Sequence, residues 1–206
     1  MAEAGLFWRM VYRALDIPLV FRIQQHLCND YSAVSGHFAP QLAGRGLRLL
    51  DIGCSTGASV NKLFDLDAHS YTGVELVPEY AAIAQRMNPK GRFLAMDARH
   101  LDLPDASFDR VFFLGVWHHM DDDTVRASLA EAKRVLAPGG VMLVAEPLFT
   151  PGRWLSTLLL SHDRGKFIRD EAGYKSLLQG WQIAQEGCFD FSLHRMLALE
   201  LRPQAD

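Results

Sequence analysis

Leu49-Leu50-Asp51-Ile52-Gly53-Cys54-Ser55-Thr56-Gly57 is an apolar run that ends in an acidic residue and then enters a glycine-bearing turn. In an open α/β sheet, ligands bind at the carboxyl ends of the strands, where such a turn exposes backbone N–H groups and lets a ligand approach closely. A carboxylate just before the turn repels a pyrophosphate, whereas it attracts the cationic end of an amino acid. The stretch predicts a strand, a turn and a helix around a nucleoside-like cofactor.

Apolar runs alternate with segments of helical period from residue 47 onward, as strands and crossover helices do in a parallel sheet. Strands are predicted at 47–53, 70–76, 91–96, 108–116, 140–146, 182–189 and 195–202. Helices are predicted at 56–65, 79–87 and 122–136, the last closed by Pro138-Gly139-Gly140. The short link between the last two strands predicts an antiparallel hairpin at one edge. We expect an α/β fold with a seven-stranded, mostly parallel sheet, one antiparallel edge strand and helices on both faces.

The length of 206 residues suits one domain, and 49% hydrophobic with 22% charged residues is typical of a globular protein. Within a single domain over 1–206, we expect three parts. Residues 1–46 would form an N-terminal helical cap, 47–147 the cofactor-binding core, and 148–206 substrate-side helices with the C-terminal hairpin.

Bulk properties exclude several classes of protein. A net charge of −3 gives no positive field for nucleic acid, and three widely spaced cysteines fit neither a disulfide framework nor a zinc site. No apolar run reaches about 18 residues, and no secretory leader is recognisable. We expect a cytoplasmic monomer or homodimer that binds no nucleic acid.

The turn after Asp51 does not have the spacing of other nucleotide sites. Gly-x-Gly-x-x-Gly would need a glycine at position 55, where Ser55 stands, and no Gly-Lys-Ser/Thr follows. A dinucleotide fingerprint and a triphosphate loop are therefore both absent. The charge argument instead favours S-adenosylmethionine (SAM), whose methionyl end is cationic.

Two further strands end in acidic residues. Glu75 closes strand 70–76 and suits the paired hydroxyls of a ribose, while Asp97 follows strand 91–96 and suits the exocyclic amine of adenine. Three acidic strand ends in series are much more specific than one glycine loop.

Five motifs follow one another along the chain: Asp51-Ile52-Gly53-Cys54-Ser55-Thr56-Gly57, Gly73-Val74-Glu75, Met96-Asp97-Ala98, Phe108-Asp109-Arg110-Val111 and Leu136-Ala137-Pro138-Gly139-Gly140. Together they resemble the class I SAM-dependent methyltransferases, and within them the small-molecule group called type 11. The resemblance covers residues 47–147 and implies a Rossmann-like fold with SAM as the cofactor. The flanks match only in the order of their elements.

The resemblance also implies roles for individual residues. The SAM loop would consist of Asp51, Gly53, Cys54, Ser55 and Gly57. Glu75 would bind the ribose, and Asp97 with Ala98 would bind the adenine. Leu76 and Met96 would flank the base, and the backbone of Leu114 would lie beside the methionyl group. Ser55 replaces the family's middle loop glycine. Cys54 is interpreted as a small packing residue rather than a nucleophile, since no cationic neighbour would lower its pKa.

His118 and His119 follow the fourth strand, where the family places the methyl group and the acceptor. A histidine that titrates near neutral pH can deprotonate an acceptor, so both are candidate bases, with His119 at the position where many relatives carry a histidine. The alternative is that they only shape the pocket or bond a carboxylate, and Glu146 could line that pocket. A metal site with Asp121 and Asp122 is disfavoured, because those residues suit a helix cap, so no metal is expected.

The predicted activity is methyl transfer from SAM to an oxygen, nitrogen or carbon atom of a small-molecule or lipid-like acceptor. An NAD-dependent oxidoreductase and a SAM-binding regulatory protein without turnover are the alternatives. The apolar segments 6–27 and 151–160 would form a lid, although segment 6–27 also suits peripheral contact with a membrane. Arg164, Lys166 and Arg169 would suit an anionic group on the acceptor.

Overall fold

The computed structural model describes residues 31–149, 166–191 and 194–204. The segments 6–27 and 151–160, predicted as a lid or a membrane contact, lie outside these residues, as does Arg164. Within the described ranges, no helix combines the length and apolar character needed to cross a membrane.

Strands and helices alternate along the chain, as the sequence pattern predicts. The strands are β1 (Arg48–Ile52), β2 (Ser70–Glu75), β3 (Arg92–Ala95), β4 (Phe108–Leu114), β5 (Leu136–Pro147), β6 (Trp181–Phe191) and β7 (His194–Pro203). The helices are α1 (Ser32–Phe38), α2 (Val60–Leu63), α3 (Pro78–Met87), α4 (Asp122–Val135) and α5 (Glu171–Lys175), with 3₁₀ turns at Ala39–Leu42 and Trp117–His119.

All seven strands form one sheet in the order β3-β2-β1-β4-β5-β7-β6. Strands β1 to β5 pair in parallel, and β7 runs antiparallel to both β5 and β6. The predicted hairpin therefore closes one edge of a mostly parallel sheet, and β7 is its one reversed strand. The chain changes direction along the sheet at β1 and β4, which is where open α/β sheets bind ligands.

Apolar side chains cover both faces of the sheet, because its central strands are buried on both sides. On one face, Leu129 of α4 and Tyr174 of α5 join the core. On the other, Phe38 of α1 and Ala84 of α3 do so. This confirms the prediction of helices on both faces, and it leaves the carboxyl edge of the strands between the two helical layers.

The predicted helix 56–65 is wrong over most of its length, because α2 spans only Val60–Leu63. The residues predicted to begin this helix form a turn instead, in which Ser55 has φ 51° and Gly57 has φ 71°. These are left-handed values, which a right-handed α-helix does not contain. At its other end, Phe64 is already extended, with φ −126° and ψ 134°.

Helix α4 begins as predicted and ends slightly early. The side chain of Asp121 accepts a hydrogen bond from the Thr124 N–H, which confirms the predicted helix cap. The helix ends at Val135, so Pro138-Gly139-Gly140 lies inside β5 rather than closing the helix. The register between β4 and β5 shifts at this point, between the pairs Phe108↔Leu136 and Arg110↔Val141.

Candidate functional site

The carboxyl edge of β1, β2 and β4 brings together most of the residues singled out in the sequence. The pairs Asp51↔Gly73 and Ile52↔Phe113 place the turn after β1 between the ends of β2 and β4. Met96, just after β3, donates its N–H to the Glu75 carbonyl oxygen at 3.0 Å. The predicted cofactor residues on β1, β2 and β3 therefore lie at the ends of neighbouring strands.

The turn after β1 is tightly packed and needs its first glycine. Gly53 has φ 84°, and a Cβ atom there would lie 2.6 Å from Cγ2 of Val116. The N–H groups of Gly53 and Cys54 both donate to the Val74 carbonyl oxygen, at 2.7 and 3.1 Å. Any side chain at position 53 would push this turn off the loop that follows β4.

Ser55 takes the left-handed conformation that a glycine adopts without cost. Its φ is 51°, and its N–H donates to Oε2 of Glu75 at 3.0 Å. Oε1 of Glu75 accepts the Val77 N–H, also at 3.0 Å. Glu75 thus links the turn to the start of α3, and each of its oxygens retains a second lone pair for a ligand hydroxyl.

Asp51 is a buried carboxylate with one donor. It is 3% exposed, and Oδ2 accepts the Tyr71 hydroxyl at 2.7 Å. Burial and, to a smaller degree, the nearby charge of Glu75 raise the pKa of Asp51 to about 6, although the hydrogen bond from the Tyr71 hydroxyl acts to lower it. Among the described residues no cation pairs with it, so a cationic ligand group would stabilise its charge.

Asp97 is already paired, which its sequence position did not indicate. Its carboxylate accepts from the Arg99 guanidinium, with Oδ2 to Nη2 at 2.6 Å, and from the Arg99 backbone N–H at 2.9 Å. The Arg99 side chain and backbone hydrogen bonds lower the pKa of Asp97 to about 2. Asp97 is therefore ionised at neutral pH, and a ligand amine would share it with Arg99.

Three apolar residues accompany these acidic groups. Leu76 is 67% exposed, whereas Met96 is half-buried and Ala98 is buried. An exposed leucine at this edge provides a contact surface for a flat apolar base. Cys54 is buried, and burial raises the pKa of its thiol, which fits a packing role.

The other half of the edge is the loop after β4, which contains both candidate histidines. His118 is buried, His119 is exposed, and their ring centroids lie 4.0 Å apart. Leu114, the last residue of β4, is half-buried and pairs with Ala145 of β5. Nδ1 of His118 lies 2.9 Å from Oε2 of Glu146, a residue that is 1% exposed at the end of β5.

Arg169 holds this loop from the other side. Its guanidinium donates to the carbonyl oxygens of Trp117 and Met120, at 3.0 and 2.8 Å, and to Oδ1 of Asp122 at 2.7 Å. Its side chain is 11% exposed. Arg169 is therefore committed to the protein's own loop, which corrects its predicted role of meeting an anionic acceptor. Lys166 is exposed.

Sequence reasoning missed two residues that support the site, Tyr71 and Asn88, and it missed the role of a third, Arg169. Tyr71 bonds Asp51, Asn88 donates its side-chain N–H to the Gly57 carbonyl oxygen at 3.0 Å, and Arg169 fastens the loop after β4. No local motif identifies them, because each partner lies at least 20 residues away. Glu146 carried a signal, since it is a fourth acidic strand end.

The carboxylates at this edge suit a cationic nucleoside-like ligand. Asp51 and Glu75 interact electrostatically, so their region attracts a positive group, while Glu75 and Asp97 offer acceptors for hydroxyl and amine groups. Within ranges 31–149, 166–191 and 194–204, no three His, Cys, Asp or Glu side chains are grouped as a metal ion requires.

Comparison with known proteins gives a consistent family. Residues 50–144 match a family model described as a methyltransferase domain. The 2-methyl-6-phytyl-1,4-hydroquinone methyltransferase of Synechocystis sp. is 35% identical over 104 residues, which cover 49% of this chain and 32% of that protein. The tRNA U34 carboxymethyltransferase of Azotobacter vinelandii is 28% identical over 171 residues, covering 80% and 49%.

Solved structures share the fold. A SAM-dependent methyltransferase from Methanosarcina mazei superimposes with a TM-score of 0.69 at 16% identity, covering 82% of this chain and 98% of that one. The chain spans about a third to about half of the length of the first curated relatives that it matches. The family model's residues 50–144 run from β1 into β5.

Proposed function

Because residues 50–144 match a methyltransferase domain and the relatives of the chain include methyltransferases, we propose that it is a class I SAM-dependent methyltransferase of the type 11 group that transfers a methyl group from SAM to a small-molecule or lipid-like acceptor. SAM, the cofactor of the family, supplies an electrophilic methyl group on a sulfonium and becomes S-adenosylhomocysteine. The attacked acceptor atom is an oxygen, nitrogen or carbon nucleophile.

The observation that carries this proposal is the row of acidic strand ends around one glycine turn. Asp51, Glu75 and Asp97 end or follow three neighbouring strands, and β1 lies at the point where the chain reverses its direction along the sheet. A dinucleotide phosphate would be repelled here, whereas a sulfonium and an ammonium are attracted. This distribution of charge argues against the NAD alternative.

Each residue of the edge has a role in this proposal. Asp51 attracts the methionyl ammonium, Glu75 accepts from the ribose hydroxyls, and Asp97 with the Ala98 N–H recognises the adenine edge. The side chains of Leu76 and Met96 flank the base, and Leu114 at the end of β4 lies beside the methionyl group. Gly53, Cys54, Ser55 and Gly57 give the turn its shape.

The loop after β4 offers His118 and His119 as proton acceptors. During methyl transfer to a hydroxyl or amine, the acceptor's lone pair forms the new bond to carbon and the acceptor loses its proton. A neutral imidazole can take that proton, so the positive charge moves from the sulfonium to the histidine. The same loop orients the acceptor, which supplies much of the rate in such direct transfers.

A small or lipid-like acceptor suits the surroundings of this loop. Phe149, which follows β5, is 40% exposed, and Phe167, near the start of segment 166–170, is 38% exposed. Phe167 donates its N–H to the His118 carbonyl oxygen at 3.0 Å. The net charge of −3 disfavours a nucleic acid acceptor, although one relative is named for tRNA. Arg169 is committed to the loop, which removes one cation that an anionic acceptor would need.

Calorimetry with S-adenosylhomocysteine tests the cofactor assignment. We expect micromolar binding by the unmodified protein and a loss of tenfold or more in Glu75→Ala and in Asp97→Ala. Asp109→Ala is the matched control, since Asp109 is an acidic residue at the start of β4 that pairs with Arg48 at the opposite edge. No binding by folded protein, or binding of NAD instead, would contradict the proposal.

Turnover separates an enzyme from a SAM-binding regulatory protein. Labelled SAM incubated with pools of phenols, hydroquinones and amines should give a labelled product that depends on this protein. Binding of S-adenosylhomocysteine without any product across such pools and a lipid extract would favour the regulatory alternative.

A further inference from the structure

Glu146 is buried more completely than its role as a pocket wall would require. Its side chain is 1% exposed, and Oε1 accepts the backbone N–H groups of Val116 and Trp117, both at 2.7 Å. Oε2 accepts the His118 N–H at 3.3 Å and faces Nδ1 of the His118 ring at 2.9 Å. One carboxylate at the end of β5 therefore contacts the whole first turn of the loop after β4.

A buried carboxylate is a costly way to satisfy three backbone N–H groups, because a neutral amide oxygen or a water could accept from them without a charge. The imidazole of His118 gives the charge a purpose. An ionised carboxylate only accepts hydrogen bonds, so the ring nitrogen that faces it carries the proton. His118 is then held as the Nδ1–H tautomer, and its lone pair lies on Nε2.

We propose that Glu146 is a positioning residue that fixes His118 as a proton acceptor of the site, with Nε2 as the accepting atom. This inference rests on the proposed methyl transfer. Glu146 does not touch the reacting atoms, and it acts through the tautomer, the orientation and the charge of His118.

The loop that bears His118 is fixed from both sides, which a precisely oriented base requires. Glu146 binds its N–H groups, while Arg169 and the Phe167 N–H bind its carbonyl oxygens at Trp117, Met120 and His118. The loop also packs on the cofactor turn, where the Val116 side chain fills the space that a Cβ at Gly53 would need. The loop that bears His118 is therefore anchored against the turn after β1.

Glu146 also suits the charge that develops during transfer. As the acceptor's oxygen or nitrogen bonds to the methyl carbon, its proton passes to Nε2 of His118, and the electron pair of the broken carbon–sulfur bond stays on sulfur. The resulting imidazolium has protons on both nitrogens. Its Nδ1–H already points at the Glu146 carboxylate, so the new positive charge is stabilised without rearrangement.

Nitrogen NMR of the imidazole rings tests the proposal directly. In protein labelled with ¹⁵N-histidine at pH 8, long-range proton–nitrogen spectra distinguish the two neutral tautomers, and His118 is assigned by the signal lost in His118→Gln. We expect the Nδ1–H tautomer in the unmodified protein. In Glu146→Gln, the amide N–H₂ donates to Nδ1, so His118 should switch to the Nε2–H tautomer.

Glu131→Gln is the matched control, because Glu131 is also a carboxylate that accepts a backbone N–H, from Leu101 at 2.7 Å, but it lies away from His118. Its spectrum should keep the Nδ1–H signal. An Nε2–H tautomer or a doubly protonated ring in the unmodified protein would overturn the proposal, even if Glu146→Gln does not fold. A Glu146→Gln spectrum identical to that of the unmodified protein would also overturn it.

Binding of S-adenosylhomocysteine by the same samples separates this inference from the proposed function. Binding to the unmodified protein and to Glu146→Gln within about threefold, with a changed tautomer, is the expected result. Failure of all folded samples to bind would contradict the methyltransferase proposal, whereas binding with an unchanged tautomer would contradict only the role of Glu146.

Discussion

Two carboxylates are buried at the same edge of this sheet, Asp51 at the end of β1 and Glu146 at the end of β5, and they differ in the number of their donors. Among residues 31–149, 166–191 and 194–204, Asp51 accepts one hydrogen bond, from the Tyr71 hydroxyl. Glu146 accepts from three backbone N–H groups and faces Nδ1 of His118. The first carboxylate is therefore the one that we propose to meet a ligand cation, whereas the second holds the protein's own backbone.

The number of hydrogen-bond donors distinguishes Asp51, the proposed binding residue, from Glu146, which holds the protein's own backbone. A buried carboxylate with few donors has a raised pKa, as Asp51 does at about 6, and gains most from a positive ligand. A carboxylate surrounded by N–H groups is already stabilised. Substitution should therefore harm folding at Glu146 and binding at Asp51.

Glu146→Ala should have the largest effect on stability. It leaves three buried backbone N–H groups and one imidazole nitrogen without their acceptor, which should cost about 4 kcal/mol of the free energy of unfolding. Urea denaturation measures this loss. Glu200→Ala is the control, since Glu200 is also buried but its partners are the side chains of Gln41 and Arg202, which can turn to solvent.

We expect Glu200→Ala to cost about 1 kcal/mol, because both partners regain water as they lose the carboxylate. Equal losses for Glu146→Ala and Glu200→Ala would mean that the backbone bonds of Glu146 have no special weight.

Asp51→Asn should raise the free energy of unfolding at neutral pH, whereas Glu146→Ala lowers it. The folded-state pKa of about 6 lies above the ordinary value of 3.8, so the native protein loses stability as the pH rises from about 4 to about 6. An asparagine keeps the acceptor for Tyr71 but carries no charge, and the variant should gain about 2 kcal/mol at pH 7.5.

The check is the difference in unfolding free energy between Asp51→Asn and the unmodified protein at pH 5 and at pH 7.5. The advantage of the variant should widen as the pH rises. A constant difference would show that Asp51 titrates alike in the folded and unfolded chains.

Arg169→Ala should destabilise by about 1.5 kcal/mol, because the carbonyl oxygens of Trp117 and Met120 lose a nearly buried guanidinium. Arg126→Ala is the matched control, since Arg126 also pairs with Asp122 but is 49% exposed, and its loss should cost about 0.5 kcal/mol. Thermal unfolding of both variants decides the point. A cost for Arg126→Ala as large as that for Arg169→Ala would locate the effect in the shared ion pair instead of the loop.

Ser55→Gly should have the smallest effect, a gain of about 1 kcal/mol, because glycine adopts φ near 50° without the steric cost that serine has. Its N–H still donates to Glu75, so affinity for S-adenosylhomocysteine should stay within about twofold. Ala106→Gly, at the other described non-glycine residue with positive φ, should gain stability to a similar degree. A loss of stability in Ser55→Gly would show that the serine side chain supports the turn.

Much of the proposed cofactor site, which comprises the turn after β1 and the ends of β1, β2 and β3, can be predicted from the sequence, because its motifs are local. The strand ends at Asp51, Glu75 and Asp97 are read directly from short apolar runs that stop at an acidic residue. The helix predicted at 56–65 failed, since the left-handed conformation of Ser55 comes from packing and from the bond to Glu75, which no propensity encodes.

The proposed acceptor site, the loop after β4 with Glu146 and Arg169, is harder to predict from the sequence, because its hydrogen bonds join residues that are far apart in the chain. Glu146 lies 28 residues after His118, and they meet only because β4 and β5 pair with Leu114 opposite Ala145. Arg169 lies 52 residues after Trp117. Its charge suggested an anionic acceptor, and only the fold reveals the carbonyl oxygens that it already binds.

The most direct measurement is the affinity for S-adenosylhomocysteine at pH 5 and at pH 7.5, in the unmodified protein and in Asp51→Asn. With a pKa of about 6, only about a tenth of Asp51 is ionised at pH 5, so the unmodified protein should bind about tenfold more weakly there than at pH 7.5. Asp51→Asn should bind weakly at both. Absence of binding by the folded, unmodified protein at pH 7.5, or the same pH dependence in both proteins, would contradict the account.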